Sequence, residues 1–375
     1  MFSLLLKKIS LLQLQLLLKK EMQFWKDYLN YFVSFSIDNQ NYNSSGSKLF
    51  FMQHFVITGG AGFIGSNLIR ALLKQQPSCT ITCIDNLDSF YAIEIKKNNL
   101  AEFANETRFR FLQFDIANNA AENLLELIPE KVDVIIHLAA KAGVRPSIAN
   151  PLIYQKNNII GTQNLLDFAK LKNCTQFIFA SSSSVYGNNT NFPWNENEKL
   201  LPISPYAMTK LSGEMLGHIF HKLYGIRFIA LRFFTAYGPG QRPDLAIHKF
   251  LKNILNNEPI PIFGNGTTSR DYTYIDDIIS ALLAAIVYTK TNFEIINIGN
   301  NYSIALKDLV AEIEKTIGKK AVLHYMPEQP GEVFKTMADI TKAMQLLNYQ
   351  PQMQLHDGLN LFYEWLLKNK EILNP

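Results

Sequence analysis

The sequence predicts an α/β fold: a Rossmann-type doubly wound parallel sheet with a smaller C-terminal substrate-binding lobe. Three observations predict it. Short β-branched or aromatic runs alternate with amphipathic helical stretches from Met52 onward, a turn with spaced glycines follows the first run, and an acid ends the second. Each element follows in order. His54–Thr58 reads as the first strand, with a helix from there to about Gln76, and Thr80–Asp85 as the second strand. A helical segment leads to a third strand at Phe109–Phe114, and Val132–Leu138 is the fourth. Asn150 and Pro151 read as the N-cap and first turn of the next helix. Gln176–Ala180 is the fifth strand, Ser204 and Pro205 open another helix, and Arg227–Arg232 closes the series. After Gly238, Pro, Gly and Asn increase, which suggests the second lobe. Glu294–Ile298 still looks like a buried strand, and Leu306–Ile317 and Leu355–Lys368 look like helices.

Three regions follow. Residues 1–51 are an N-terminal extension, 52–237 a dinucleotide-binding domain, and 238–375 mainly a substrate lobe, with 270–300 returning to the Rossmann core. In the extension, Ile9–Leu18 is leucine-rich between lysine pairs and would reach only about 15 Å as a helix, against roughly 30 Å of hydrocarbon. No stable membrane insertion is expected, and no small-residue cleavage pattern follows. Met52 stands directly before the first strand and is a candidate for the true start, with a peripheral amphipathic extension as the alternative.

The chain is 375 residues, 47% hydrophobic and 18% charged, an ordinary globular composition that can bury a sizeable core. Its formal charge is +4; six lysines against three acids place +3 of it on residues 1–51, leaving about +1 elsewhere. That near-neutrality gives no case for a nucleic-acid partner. Cys79, Cys83 and Cys174 are an odd count with no histidine near them, and read as buried reduced thiols, not as a metal site. A cytoplasmic location is expected.

Gly59-Gly60-Ala61-Gly62-Phe63-Ile64-Gly65 places glycines at i, i+3 and i+6 where a strand must turn into a helix. Such a loop cradles a pyrophosphate by tight turning, close backbone approach and free N–H groups at the helix start. Asp85, about 20 residues on, can accept hydrogen bonds from the adenosine ribose and repel a 2′-phosphate, which favours NAD over NADP; its plain alternative is a cap on the Asn86–Ser89 turn. Asp115-Ile116 ends the third strand beside the expected adenine, or forms a simple turn.

Tyr206 and Lys210 lie four residues apart on the helix that Pro205 opens, so both can address one point. Ser181-Ser182-Ser183-Ser184 follows the fifth strand and brings hydroxyls to the same edge. To take a proton from a sugar hydroxyl, Tyr206 works best as a phenolate, which requires roughly 4 kcal/mol of preferential stabilisation at neutral pH. The Lys210 ammonium and a positive nicotinamide ring can each supply up to about that much. Ser182 would hydrogen-bond the same substrate oxygen.

With these residues in place the chain, over about residues 53–370, resembles the extended short-chain dehydrogenase/reductase family of NAD-dependent epimerases and dehydratases. His137-Leu-Ala-Ala-Lys-Ala-Gly-Val-Arg-Pro-Ser147, Arg232-Phe-Phe-Thr-Ala-Tyr-Gly-Pro239 and Arg242-Pro-Asp244 look like the UDP-glucuronate 4-epimerases. The resemblance implies oxidation at C4, rotation of the bound 4-keto sugar and hydride return to its other face. It places Leu138, Ala139, Ala140 and Asn157 along the cofactor and Phe234 beside the nicotinamide. Asn86 joins the cofactor-binding residues. Arg145 joins the substrate residues, Arg270 clamps the diphosphate, with a surface ion pair to Asp271 as the plain alternative, and Glu332 holds the uridine ribose. Thr235 and Arg242 match the glucuronate enzymes, Arg242 facing the C6 carboxylate; its plain alternative is a loop anchor through Asp244. Dehydratases and decarboxylases of the family place carboxylates where this chain has Ser183 and Ser184, so epimerisation is implied. The loop Gly238-Pro-Gly-Gln-Arg-Pro-Asp244 departs from the glucuronate pattern Gly-Pro-Trp-Gly-Arg-Pro-Asp, which keeps UDP-glucose and UDP-N-acetylglucosamine as alternative substrates. A cofactor-consuming sugar reductase and a non-catalytic dinucleotide sensor are the other classes; the intact Tyr206 and Lys210 argue against the second. Relatives often dimerise through the helices after Pro151 and Pro205, which implies a homodimer.

Overall fold

Strands β1 (His54–Thr58), β2 (Thr80–Asp85), β3 (Phe109–Gln113), β4 (Val134–His137), β5 (Gln176–Ser182) and β6 (Arg227–Phe233) are all parallel. The computed structural model describes residues 53–328, 331 and 333–369. The extension and the Met52 start lie outside the described residues, as does Glu332. Beyond β6 the chain forms β7 (Thr235–Tyr237), β8 (Ile260–Phe263), β9 (Ser269–Tyr274), β10 (Phe293–Ile298), β11 (Ser303–Ala305) and β12 (Leu323–Met326). Of these, β10 returns to pair with β6 and completes a seven-stranded sheet of order β10-β6-β5-β4-β1-β2-β3. Strand order reverses between β1 and β4, and a doubly wound sheet binds its ligand outside the carboxyl ends at such a point.

Burial follows the period-two alternation of strands. Phe55, Ile57, Ile178, Ile229 and Leu231 face one core, while Val56, Phe177, Phe179, Phe228 and Ala230 face the other. Helices cover both: α1 (Phe63–Gln75) on the first face, and α2 (Pro151–Tyr154), α3 (Gly161–Leu171) and α4 (Pro205–Tyr224) toward the second, with α5 (Ile275–Val287) packed against α1. The second lobe has a three-stranded sheet, β11-β9-β7, and the parallel pair β12-β8. Among the described residues no helix is long and apolar enough to cross a membrane, and all three cysteines are free and buried.

Two helices differ in their beginnings. α4 starts as its sequence demands: Pro205 at the first turn, the Ser204 hydroxyl accepting from Ala207 N–H at 3.2 Å, and Gly225 closing it in the left-handed region at φ +71°. At Asn150 the expected cap is not made; its side chain bonds no helix N–H. The helix from Pro151 is also interrupted by a π-helical turn at Gln155–Ile160, the kind of insertion that re-aims side chains at functional sites.

Candidate active site

The site begins at the glycine loop. Gly59 sits at φ +71°, and a Cβ there would come within 2.7 Å of the Ala139 nitrogen, so only glycine allows β1 to turn under the loop that follows β4. Gly65 lets α1 lie on the loop itself, its Cα facing the Gly59 carbonyl and Gly60 Cα. Gly62 is different: a Cβ there would meet only the Gly59 oxygen, at 3.2 Å, so its outer side is open. No side chain caps α1 at Gly62, which leaves the first-turn N–H groups of Phe63 and Ile64 for an anion.

At the end of β2, Asp85 is buried. Its Oδ2 accepts from Ala61 N–H at 3.2 Å and its Oδ1 from Leu87 N–H at 2.9 Å, so it does cap the following turn as well as face the loop. The sequence reading gave Asp85 no basic partner, but buried Lys96, ten or so residues on, brings Nζ to 3.7 Å from Oδ1. Asn86 donates to Asp115 at 3.2 Å, joining the ends of β2 and β3. The Asp115 carboxylate is held below its usual range by hydrogen bonds that outweigh burial, from Asn86, Ala117 and Asn118. Ile116 is buried and sits against Gly161.

Leu138, Ala139 and Ala140 form the turn after β4, tied back by Leu138 N–H to the Thr58 carbonyl at 3.1 Å. Here the neighbour of a named residue matters more. Asn157 donates to the Ile153 carbonyl of its own helix, whereas Asn158, buried in the π-helical turn, accepts from Lys141 N–H at 2.8 Å and donates to the Lys141 carbonyl and to the Thr209 hydroxyl, each at 2.9 Å. Asn158 therefore fastens the loop to α4. Two adjacent asparagines are equivalent in sequence; only the helix phase, shifted by the π-turn, separates them.

Ser182 ends β5, and its Oγ accepts from Ser184 N–H at 3.2 Å and from Ser184 Oγ at 2.9 Å. With its acceptor side engaged, Ser182 Oγ keeps its own proton to offer, and it acts on the neighbouring Tyr206 phenol. Burial pushes the Tyr206 phenol above its ordinary value, while Ser182 and the charge of Arg242 pull it down. Lys210 was expected to supply that charge. In the structure its Nζ donates to the Ala180 carbonyl at 2.6 Å, and burial lowers it to about 7 against the opposing field of Glu214. The two residues do flank one strand end, Tyr206 at Ser182 and Lys210 at Ala180.

Arg242 forms a two-point pair with Asp244 at 3.0 and 2.9 Å, as the anchor reading expects, yet its field also reaches Tyr206 and Tyr154. Its Cζ lies 5.1 Å from the centre of the Phe90 ring, and the Lys141 Nζ, paired to Asp88 at 2.6 Å, lies 5.5 Å from the same ring. Phe90 thus joins the loops after β2, β4 and β7 through cation–π contacts. Of the remaining candidates, Arg145 stacks over Phe263 at 4.1 Å, and Thr235 opens β7 opposite Tyr272. Phe234 is buried against Trp194. Arg270 donates to the Ser269 and Phe334 carbonyls and makes no pair with Asp271, which β9 turns inward to the amides of Asn300 and Ala338.

A family model described as GDP-mannose 4,6 dehydratase matches residues 56–362. The chain belongs to the extended short-chain dehydrogenase/reductase family. Among relatives within this family, the chain is 39% identical over 325 residues to a UDP-glucuronate 4-epimerase of Thermodesulfobacterium geofontis, covering 86% of this chain and 98% of that one. The UDP-glucuronic acid 4-epimerase of Bacillus cereus, solved in complex with UDP-glucuronic acid and NAD, superposes with a TM-score of 0.79 at 41% identity, over 84% of this chain and 99% of that one. A UDP-N-acetylglucosamine 4-epimerase of Methanobrevibacter ruminantium superposes with a TM-score of 0.77 at 33% identity, over 85% and 99%. The switch point between β1 and β4, the open side of Gly62 and the Ser182 end of β5 all lie at the carboxyl edge of the seven-stranded sheet.

Proposed function

We propose that this chain is an NAD-dependent UDP-sugar 4-epimerase whose substrate pair is UDP-glucuronate and UDP-galacturonate. The observation that carries this reading is the placement of Ser182 beside Tyr206 at the sheet's carboxyl edge, with serines and no carboxylate at 183 and 184. The residues fit the cofactor: the open cradle at Gly62 and the uncapped start of α1 suit a pyrophosphate, and Asp85 suits a ribose. A carboxylate offers about four acceptor sites, so the amides of Ala61 and Leu87 leave about two for ribose hydroxyls, with Lys96 an ion-pair neighbour at 3.7 Å. When bound, NAD⁺ supplies the hydride acceptor, and then donor, together with a positive ring that favours the Tyr206 phenolate. The chain supplies the proton chemistry. Tyr206 takes the proton from the sugar O4 and returns it, Ser182 holds the same oxygen, and Lys210 braces the strand end on which Ser182 sits.

Formation of the epimer from UDP-glucuronate without net change in added NADH is the expected result. Stoichiometric NADH consumption would assign a reductase instead. One observation favours a second substrate, UDP-glucose or UDP-N-acetylglucosamine: the Arg242 fork is committed to Asp244. A hydrogen bond to a charged group contributes roughly 1.5–3 kcal/mol, about 10–100-fold. Arg242→Ala is therefore expected to lower kcat/KM on UDP-glucuronate by about tenfold or more beyond its effect on UDP-glucose; equal losses on both sugars would remove the carboxylate contact.

The proposed partner is a second copy of the chain. Met215, Ile219 and Leu223 form one i, i+4, i+8 stripe on α4, Leu152 lies on α2, which packs against α4, and all four are exposed, Leu152 at 75% and Leu223 at 67%. A two-fold interface would bury this stripe against itself. Sedimentation velocity should give a dimer for the native chain and a monomer for Leu223→Glu; a monomeric native chain would overturn this.

A further inference from the structure

We propose that Glu214 is a positioning residue for the catalytic pair: clamped by Arg232, it ties α4 to the end of β5 and keeps the Lys210 ammonium in register with Ser182. Glu214 lies one helical turn beyond Lys210 and is almost fully buried. Arg232 of β6, buried as well, donates Nε to Glu214 Oε1 at 2.9 Å and Nη2 to Oε2 at 2.8 Å. Ser181 donates its hydroxyl to the same Oε1 at 2.5 Å. Arg232 is held in turn: its Nη1 donates to the Tyr186 hydroxyl at 2.9 Å, and that hydroxyl donates to Asn297 of β10 at 2.7 Å.

Three consecutive residues of β5 are thereby fixed by three different groups. The Ala180 carbonyl accepts from Lys210, the Ser181 hydroxyl donates to Glu214, and the Ser182 hydroxyl serves Tyr206. All three partners, Tyr206, Lys210 and Glu214, lie on α4 at positions four apart, so a shift of α4 along the strand breaks the Lys210 and Glu214 bonds together. Close seating is built in: Gly213 and Gly217, on either side of Glu214 along the helix, leave no room for a Cβ against the rings of Phe179 and Phe228.

The groups facing Lys210 identify Glu214 as its charge partner. From β4 comes His137, with both ring nitrogens engaged by Thr58 and Thr162 and a pKa pushed down to about 3 by burial, so it is neutral. From β5 comes the Phe179 ring, 5.0 Å from Nζ. Arg232 from β6 is engaged by its two-point pair with Glu214, whose charge is the one that acts on Lys210, and Tyr206 shares the helix. Glu214 opposes the effect of burial on Lys210 and so preserves its positive form.

This inference rests on Tyr206 and Lys210 being the catalytic pair, and its test keeps the two apart. Glu214→Gln removes the charge and keeps the shape. Because an uncompensated buried Arg232 can prevent folding, the double variant Glu214→Gln/Arg232→Met is made beside it. In 13Cε-lysine NMR, with Lys210→Met identifying the resonance, Lys210 is expected to titrate about one pH unit lower in the Glu214→Gln protein, and lower than wild type also in the double variant. Turnover should fall by about tenfold at pH 8.5 and by about threefold at pH 6.5, with KM within about twofold. An unmoved Lys210 titration, or an equal loss of turnover at both pH values, would overturn the proposal. A wild-type protein inactive on every UDP-sugar would count against the functional reading alone, since the titration is read without turnover.

Discussion

Tyr206→Phe is expected to lower kcat by about 10²–10⁴-fold, the usual contribution of a positioned acid or base, while the purified protein keeps its NAD. The ring stays: Tyr206 packs edge-on against Tyr154 at 6.4 Å, a contact phenylalanine reproduces, and Ser182 remains held by Ser184. Only the proton carrier is lost. Bound dinucleotide is read by absorbance after denaturation and turnover by epimer formation; turnover within about tenfold of wild type would assign the base elsewhere. The pH dependence has a definite sign. Lys210 is lowered to about 7, so its positive charge is present below that pH and lost above it, whereas Tyr206 gains base character as pH rises. Wild-type turnover should therefore fall at both ends, with the alkaline limb set by Lys210.

The sheet was legible because each of its strands is a short apolar run bounded by turn residues, and the loop was legible because its glycines sit where a strand becomes a helix. The predicted strand His54–Thr58 and helix Leu306–Ile317 coincide with those of the structure. What sequence could not supply was phase and partnership. Asn158 takes the inward place beside Asn157 because a π-turn adds part of a residue to the helical repeat. Lys96 reaches Asp85 across a loop, and Glu214 meets Arg232 from another element 18 residues away; neither spacing marks a contact. The pairing of Tyr206 with Lys210 shows how far spacing reaches and where electrostatics begins. Helical spacing puts both on one strand end, but the depth of burial that lowers Lys210, and the reach of Arg242 to Tyr206, belong to tertiary structure.

Gly65→Ala and Gly62→Ala are expected to separate what the loop does for the fold from what it does for the ligand. At Gly65 the obstacle is the Gly59 carbonyl and the Gly60 Cα, which would lie 2.6 Å from the new methyl. Backbone cannot rotate away as a side chain can, so α1 must lift from β1. Overpacking of this kind costs about 1–3 kcal/mol, and the lift also displaces the first-turn N–H groups, so both the melting temperature without ligand and NAD affinity should fall. At Gly62 the backbone is extended at φ −81°, ψ 179°, which any residue adopts, and the methyl would meet only the Gly59 oxygen at 3.2 Å. Gly62→Ala should therefore melt close to wild type without ligand yet lose about tenfold or more in NAD affinity, because its methyl occupies the space through which a pyrophosphate approaches the helix start. Wild-type NAD affinity in Gly62→Ala would remove the phosphate role from this loop, and a wild-type melting temperature in Gly65→Ala would remove the packing role from its last glycine.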